Sequence, residues 1–325
     1  MIDYNLTSWL NINGSFQINN QTNDYPLGYL LCVSIVVLSI YLLSIVANLI
    51  LIITIYQNKK FHSPSFILSA NMAVADTTLL LSANLYSIFS IIQIARPHII
   101  IGNIHILCQL NFYGFNSAYT ISSLSFMIIS IDRYFIICLR NGPTSPLSNK
   151  LMLKVVIVLT WLIAFGTSIP VLYMADSNSS YMCMLKTFTT LSATLIILHS
   201  INLSIAYLIP LLTVTILYYR TISRLKNSLM PFNHSNNHRQ VHATKMMIIA
   251  TLIYMINATF LYVNWIVMGT LNLPVATFFY GSQALLIAIG AIIVITIMGT
   301  MQNSVLFYCY NKNFRKAVHR LFAIK

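Results

Sequence analysis

The sequence predicts an all-α membrane protein, a bundle of seven transmembrane helices followed by a short amphipathic helix. Three observations predict it. The chain of 325 residues is 58% hydrophobic and only 7% charged, whereas a soluble globular chain carries about 25% charged residues. Seven segments reach the roughly 20 apolar residues that a spanning helix needs. The basic residues collect in alternate gaps between those segments, as in a chain threaded back and forth across a bilayer.

The segments cover residues 27–56, 65–95, 104–138, 150–173, 195–226, 243–269 and 274–308. The 26 residues before them are polar, Asn-rich and without an apolar core. They do not fit a cleavable signal, and the first apolar segment is expected to serve as the membrane anchor. An apolar stretch that takes in most of the third segment runs from Pro97 to Ile131 without a Lys, Arg, Asp or Glu and closes on Asp132-Arg133-Tyr134. The sixth and seventh share a charge-free run from Met246 to Asn311. Gly269-Thr270-Leu271-Asn272-Leu273-Pro274 divides it, because Gly and Pro punctuate helices. Hydropathy alone leaves six or eight spans open; seven accounts best for the loop charges.

With seven spans, one side of the membrane holds Lys59, Lys60, Arg140, Lys150, Lys154, Arg220, Arg224, Lys226, Arg239, Lys245, Lys312, Arg315, Lys316, Arg320 and Lys325. The other holds Arg96 and Lys186. The positive-inside rule then places the N-terminus outside and the C-terminus in the cytoplasm, in a multi-pass protein expected at the plasma membrane. The sequons at Asn5, Asn13, Asn20 and Asn178 fall on the outer side and are candidate glycosylation sites. Asn257-Ala258-Thr259 also matches but lies mid-span and is set aside.

The domain reading is an extracellular tail over residues 1–26, the bundle over 27–308 and a cytoplasmic helix within 309–325. In the last, Phe314, Val318, Leu321 and Phe322 share one helical face, with Arg315, Lys316 and Arg320 elsewhere. That pattern suits a helix lying on the inner leaflet, where anionic lipid attracts Lys and Arg; a disordered basic tail is the other reading. The net charge of +13 does not point to nucleic acid, because no compact basic face with interleaved aromatics exists. Nothing in the sequence calls for a cofactor.

Five residues stand out chemically. Asp132 and Arg133 place opposite charges at the end of a bilayer-length helix, which is costly unless they meet an interface or the bundle interior. They either mark the membrane surface or form a functional pair. Asp76 is the acidic residue in the middle of a span, and it must be paired, hydrated or protonated there. A protonated structural Asp, hydrogen-bonded between helices, is as good a reading as a functional one. Cys108 falls at the outer end of the third span and Cys183 in the outer loop before the fifth, on the side where disulfides persist. A bridge would tie these together; two unpaired thiols is the alternative.

In order along the chain, several residues together resemble the rhodopsin-like (class A) family of G-protein-coupled receptors. They are Asn48; Asn71-Met72-Ala73-Val74-Ala75-Asp76; Cys108 with Asp132-Arg133-Tyr134; Trp161; Cys183; Pro210 with Tyr218; Asn303; and Asn311-Lys312-Asn313-Phe314-Arg315. The resemblance covers all seven spans. It implies a receptor rather than an enzyme, coupled to a heterotrimeric G protein. It implies that Arg133 is the switch, held by Asp132 at rest, and that Tyr218 swings toward it on activation. Asp76 and Ser122, with Asn48 and Asn303 nearby, would line an interior pocket for water and possible sodium, and Cys108–Cys183 would be an outer staple.

Three departures from the family pattern are visible. The Cys-Trp-x-Pro of the sixth span is replaced by Asn257-Ala258-Thr259-Phe260. Without that proline the usual cause of a kink is gone, so straighter sixth and seventh helices are expected. The Asn-Pro-x-x-Tyr of the seventh span reads Asn303-Ser304-Val305-Leu306-Phe307. The acidic residue that often restrains the third-span Arg is Gln240. That leaves Arg133 with Asp132 alone, and predicts a weakly restrained resting state with some basal signalling. Such drift resembles divergent invertebrate receptors, including chemosensory ones.

The resemblance places the ligand between the outer halves of the helices. Phe112, Phe115 and Tyr119 share a helical face there. His199, Asn202, Tyr207, Tyr262, Asn264 and Trp265 are candidate polar contacts from the fifth and sixth spans. Aromatics at such spacing also serve plain packing. Phe115 stands where amine receptors carry an Asp, so a peptide or an uncharged or lipophilic small molecule is expected rather than a cationic amine. The seventh span has no Lys for a retinal Schiff base. A transporter or channel using Asp76 is the alternative class, but it calls for paired intramembrane charges or matching half-repeats. An intramembrane enzyme would need a nucleophile–base pair or a metal cluster, and His199 has neither nearby in sequence.

Overall fold

The computed structural model describes residues 27–95, 104–138, 145–177, 183–186, 191–227, 235–271 and 299–323. Within them the chain forms α1 (Leu27–Gln57), α2 (Pro64–Ala95), α3 (Ile104–Cys138) and α4 (Lys150–Met174). The fifth helix, α5, is continuous over Ala193–Leu203, Ser204–Leu208 and Ile209–Asn227. Then follow α6 (Ser235–Leu271), α7 over 299–310 and α8 (Lys312–Phe322). The fold is an all-α seven-transmembrane bundle. The start of the seventh span lies outside the described residues.

Five of these helices contain stretches long and apolar enough to cross a membrane: Ile35–Gln57, Pro64–Leu85, His105–Cys138, Lys150–Met174 and Ala193–Arg224. Thr244–Phe260 in α6 is a shorter apolar run. Burial is inverted relative to a soluble protein. Leu42, Leu43, Leu81, Leu85, Leu162 and Leu212 are exposed, while Ser44, Asn48, Ser69, Thr120, Ser125 and Thr221 are buried. A lipid solvent accepts an apolar exterior, and the polar side chains turn inward where partners exist. Ser44, Ser69, Thr120 and Thr221 each donate to the carbonyl four residues earlier, which satisfies a hydroxyl without water.

The centre of the bundle is α3, which packs against α2, α4, α5 and α6, while α1 packs on α2. Asn71 locks three helices together: its Nδ2 donates to Ser125 at 3.1 Å and its Oδ1 accepts from Trp161 Nε1 at 2.8 Å. Asn149 caps α4 by accepting from Leu151 N. A small antiparallel hairpin, Ala175–Ser177 with Cys183–Leu185, follows α4 and adds two short strands that the hydropathy reading did not include.

In α5, Ser204–Leu208 is a π-helical turn. Pro210 supplies the reason. It has no N–H, and its ring crowds the carbonyl four residues back; a wider turn absorbs the mismatch. By contrast α6 runs as one α-helix over 37 residues. It starts about two turns earlier than the apolar segment at 243, because the polar residues before it extend the same helix.

At the far end, Phe61, Phe66, Phe307 and Phe314 form a chain of ring contacts with centroids 5.1–5.7 Å apart. This cluster docks α8 against the α1–α2 connection and α7. Asn311 caps α8, its Oδ1 accepting from Asn313 N and Phe314 N.

Candidate functional site

The Asp132–Arg133 pair sits at the end of α3 and is sealed. Asp132 is 1% exposed and Arg133 8%. Arg133 Nη2 lies 3.3 Å from Asp132 Oδ2. The expectation that Asp132 alone holds Arg133 is corrected here. Ser65 of α2 donates to Asp132 Oδ2 at 2.9 Å and accepts from Arg133 Nε at 3.1 Å and also from its Nη2. One hydroxyl thus uses its single proton on the carboxylate and its lone pairs on the guanidinium. Ser145, in the connection before α4, donates to Asp132 Oδ1 at 2.6 Å. A buried ion pair is tolerable when such bonds satisfy its remaining lone pairs and protons. Tyr134 is half-buried and turns to the side of α3, its ring edge-on to Phe135.

Tyr218 of α5 is buried and its hydroxyl lies 2.9 Å from Thr251 Oγ1 of α6. In this arrangement it ties α5 to α6. The side chain of Gln240 lies outside the described residues.

Deeper in the bundle, Asp76 is buried and accepts from Ser122 at 2.9 Å. Asn48 faces α7 instead. Its Nδ2 donates to the Thr300 carbonyl at 3.2 Å, and its Oδ1 accepts from Ser304 at 2.9 Å. Asn303 is buried, and its Nδ2 has no hydrogen-bond partner among the described residues. The structure therefore joins Asp76 to Ser122, and Asn48 to the residues flanking Asn303. Among the described residues no group of three His, Cys, Asp or Glu could hold a metal ion. A sodium ion asks less, and the Asp76 carboxylate with the Ser122 hydroxyl are oxygen donors of the right type.

Toward the Cys108 end, Phe115 and Tyr119 stack with centroids 6.3 Å apart. Tyr119 also meets Tyr254 at 5.4 Å and Tyr262 at 5.7 Å, and Tyr262 meets Tyr207 at 4.8 Å. The Tyr207 hydroxyl lies 2.7 Å from Thr259 Oγ1. Tyr254 donates to the Tyr119 carbonyl at 3.0 Å and packs on Phe126 at 4.6 Å. Helices α3, α5 and α6 thus share one aromatic column.

Beside it, Asn116 Nδ2 donates to Asn202 Oδ1 at 3.1 Å and to Ser168 at 2.8 Å, linking α3, α5 and α4. Asn202 Nδ2 and the Tyr262 hydroxyl are buried, with no hydrogen-bond partner among the described residues. His199 is buried one turn earlier on α5. Phe112 packs instead against Cys108 and Ala175. Cys108 is disulfide-bonded, whereas Cys32, Cys138 and Cys309 carry free thiols. The side chains of Trp265, Asn264 and Cys183 lie outside the described residues, as do Asn5, Asn13, Asn20 and Asn178 entirely.

Residues that the sequence did not single out complete both ends: Ser65, Ser145 and Thr251 at one, Tyr254, Thr259, Asn116 and Ser168 at the other. Only register could have found Tyr254, which lies three residues before Asn257 on α6 and one turn from the lost tryptophan position.

The described residues form a helical bundle of the multi-pass membrane class, with helices long and apolar enough to cross a bilayer, a sealed ion pair at one end and an aromatic column at the other. A family model described as 7 transmembrane receptor (rhodopsin family) matches residues 47–306, and the chain belongs to that family. No curated protein matches it significantly. The family is one of signalling receptors, not enzymes.

Proposed function

We propose that this chain is a plasma-membrane G-protein-coupled receptor that binds an extracellular ligand between the Cys108 ends of its helices. Ligand binding shifts the population toward a state in which Arg133 is exposed to a heterotrimeric G protein. The observation that carries this reading is the clamp on Arg133. A buried guanidinium is held by Asp132 of its own helix and by Ser65 of a neighbouring one, and it is freed only when both contacts are given up.

The aromatic column supports the ligand end. Phe115, Tyr119, Tyr207 and Tyr262 offer ring faces, and Asn202 Nδ2 and the Tyr262 hydroxyl offer buried donors. Among the described residues, the column's ring contacts and hydrogen bonds involve no acidic side chain. The fitting ligand is an uncharged or lipophilic molecule, or a peptide side chain, carrying a hydrogen-bond acceptor. Phe112, His199 and Trp265 complete the proposed ligand set.

In this reading the N-terminus is outside, with Asn5, Asn13, Asn20 and Asn178 available for glycosylation, and Cys183 is the partner of Cys108. Residues 1–26 form the outer tail, 27–308 the bundle, and the helix within 309–325 lies on the inner leaflet. Asp76 and Ser122 hold sodium or water beneath the ligand.

The test is a ligand screen in cells carrying reporters for several G-protein classes, comparing wild type with Arg133→Ala at matched surface expression. The expected result is a ligand response that the substitution abolishes. An undiminished response in Arg133→Ala would overturn the assigned switch.

A further inference from the structure

Helix α6 contains no proline and runs as one α-helix over Ser235–Leu271. Sharp kinks come from proline, Gly/Ser pairs or π-bulges, so this helix moves as a rod rather than bending at a hinge. A rod held in a bundle tilts about the contact that leaves it least room.

Gly299 of α7 marks such a contact. A Cβ placed on Gly299 would stand 2.8 Å from Asn257 Nδ2 and 3.6 Å from Asn257 Cβ. The first separation is closer than a Cβ tolerates, so α7 carries glycine where Asn257 of α6 presses against its backbone.

Asn257 also divides the contacts of α6 into two sets. Toward the Cys108 end, Thr259 meets Tyr207 and the Tyr262 ring meets Tyr119. Toward the Arg133 end, Tyr254 donates to the Tyr119 carbonyl and Thr251 meets Tyr218. In that second set Gln302 of α7 donates from Nε2 to the Ala250 carbonyl at 3.0 Å. Gln302 is buried, and its Oε1 has no hydrogen-bond partner among the described residues. Ala250 lies seven residues from Asn257, about 10 Å along the helix. A tilt about Asn257 therefore carries Ala250 away from Gln302 while Asn257 stays on Gly299.

We propose that Asn257 and Gly299 form the fulcrum on which α6 tilts, and that Gln302 is the latch that releases the Arg133 half of the helix. These are positioning residues. The inference rests on the receptor reading for the use of the movement in signalling, but not for the movement itself.

The test follows the movement in the intact chain, without ligand or G protein. Met247 is 4% exposed, so a thiol introduced there by Met247→Cys reports opening of the Arg133 half. Its labelling by N-ethylmaleimide is measured by mass spectrometry relative to the exposed free thiol of Cys309. A neutral hydrogen bond of the usual net strength corresponds to roughly a fivefold change in a two-state population. Gln302→Leu is expected to raise the labelling ratio by about that factor. Asn257→Cys and Gly299→Cys are then added and oxidised, because the 3.6 Å Cβ separation fits the range of about 3.5–4.5 Å that a disulfide spans. The cross-linked receptor is expected to keep the raised ratio, since a bond at the fulcrum leaves the tilt free. A second measurement does not need the cysteine pair to fold. Gly299→Ala is expected to lower the thermal unfolding temperature, and Asn257→Ala in the same chain to restore it by removing the amide that the new methyl meets.

An unchanged ratio in Gln302→Leu overturns the latch. A ratio that returns to its starting value on cross-linking overturns the fulcrum, because the two residues must then part for α6 to move. Failure of Asn257→Ala to relieve Gly299→Ala overturns the contact on which both depend. A chain that passes all three tests yet drives no G-protein reporter keeps the fulcrum and loses the receptor reading instead.

Discussion

The Ser65 oxygen lies 3.1 Å from Arg133 Nε, and Ser65 donates its proton to Asp132 2.9 Å away. A neutral hydroxyl on α2 thereby completes the restraint of an arginine on α3. Among the described residues, the hydrogen bonds from a neighbouring helix to Arg133 come from α2, whereas the family pattern often places an acid on the sixth span.

Ser65→Ala is therefore expected to raise agonist-free signalling. Hydrogen bonds to charged groups contribute about 1.5–3 kcal/mol when intact, and about 1.4 kcal/mol is a tenfold shift in a two-state population. A rise of roughly tenfold in basal reporter output, normalised to surface expression, is the expected outcome. Basal output equal to wild type would show that Ser65 is packing only.

Tyr254→Phe tests the tie between α6 and α3. The ring remains packed on Tyr119 and Phe126 while the hydroxyl's bond to the Tyr119 carbonyl is lost. The expected loss is about 1 kcal/mol, against about 3–5 kcal/mol for Tyr254→Ala, which also empties the ring's volume. Thermal unfolding of the purified receptor separates the two. Equal losses would mean that the ring contributes nothing and that the column is not a packing unit.

Why some of this was legible in the sequence and some was not has a physical reason. Spans are written in runs of apolar residues, so their rough limits could be read directly, while their number needed the loop charges as well. Asp132, Arg133 and Asp76 were conspicuous because charge is rare in such runs. Ser65, Ser145 and Thr251 were not, because Ser and Thr occur throughout these helices, where most only bond the preceding turn. What distinguishes Ser65 is the packing of α2 on α3, and no spacing within α2 reports that. The register that brings Tyr254 and Tyr262 onto Tyr119 likewise belongs to the pairing of α6 with α3. The π-turn at Ser204–Leu208 had a visible cause in Pro210, but a proline signals a kink, a break or a bulge equally well.

Asp76→Asn keeps the shape of the buried side chain and its contact with Ser122 while removing the charge that would hold sodium. Wild-type receptor is expected to unfold at a higher temperature in sodium chloride than in choline chloride at equal ionic strength, and Asp76→Asn at the same temperature in both. A wild-type receptor indifferent to the cation would remove sodium from this pocket.

The assignment of Cys183 as the partner of Cys108 is tested by a cycle. Removing a disulfide costs about 2–5 kcal/mol, so Cys108→Ser and Cys183→Ser should each sharply reduce the folded receptor reaching the surface. If the two form one bond, the double variant is no worse than either single one, because non-additivity of this kind marks a shared interaction. Additive losses would mean separate roles.

The last prediction concerns α8. Phe314 is 1% exposed and meets the rings of Phe61 and Phe307, each with a centroid distance of 5.7 Å. The helix itself has 11 residues, and isolated helices shorter than roughly 12–15 residues are marginal in water. Its persistence therefore depends on docking. Truncating a buried Phe to Ala costs about 3–5 kcal/mol, more than so short a helix can supply alone. Phe314→Ala is expected to release α8 while α1 to α5 stay folded. Hydrogen exchange should then show fast exchange over Lys312–Phe322 and unchanged protection in α3. Phe322 is exposed, so Phe322→Ala should leave both unchanged. Retained protection of α8 in Phe314→Ala would show that the Asn311 cap and the surrounding lipid hold the helix without the aromatic cluster.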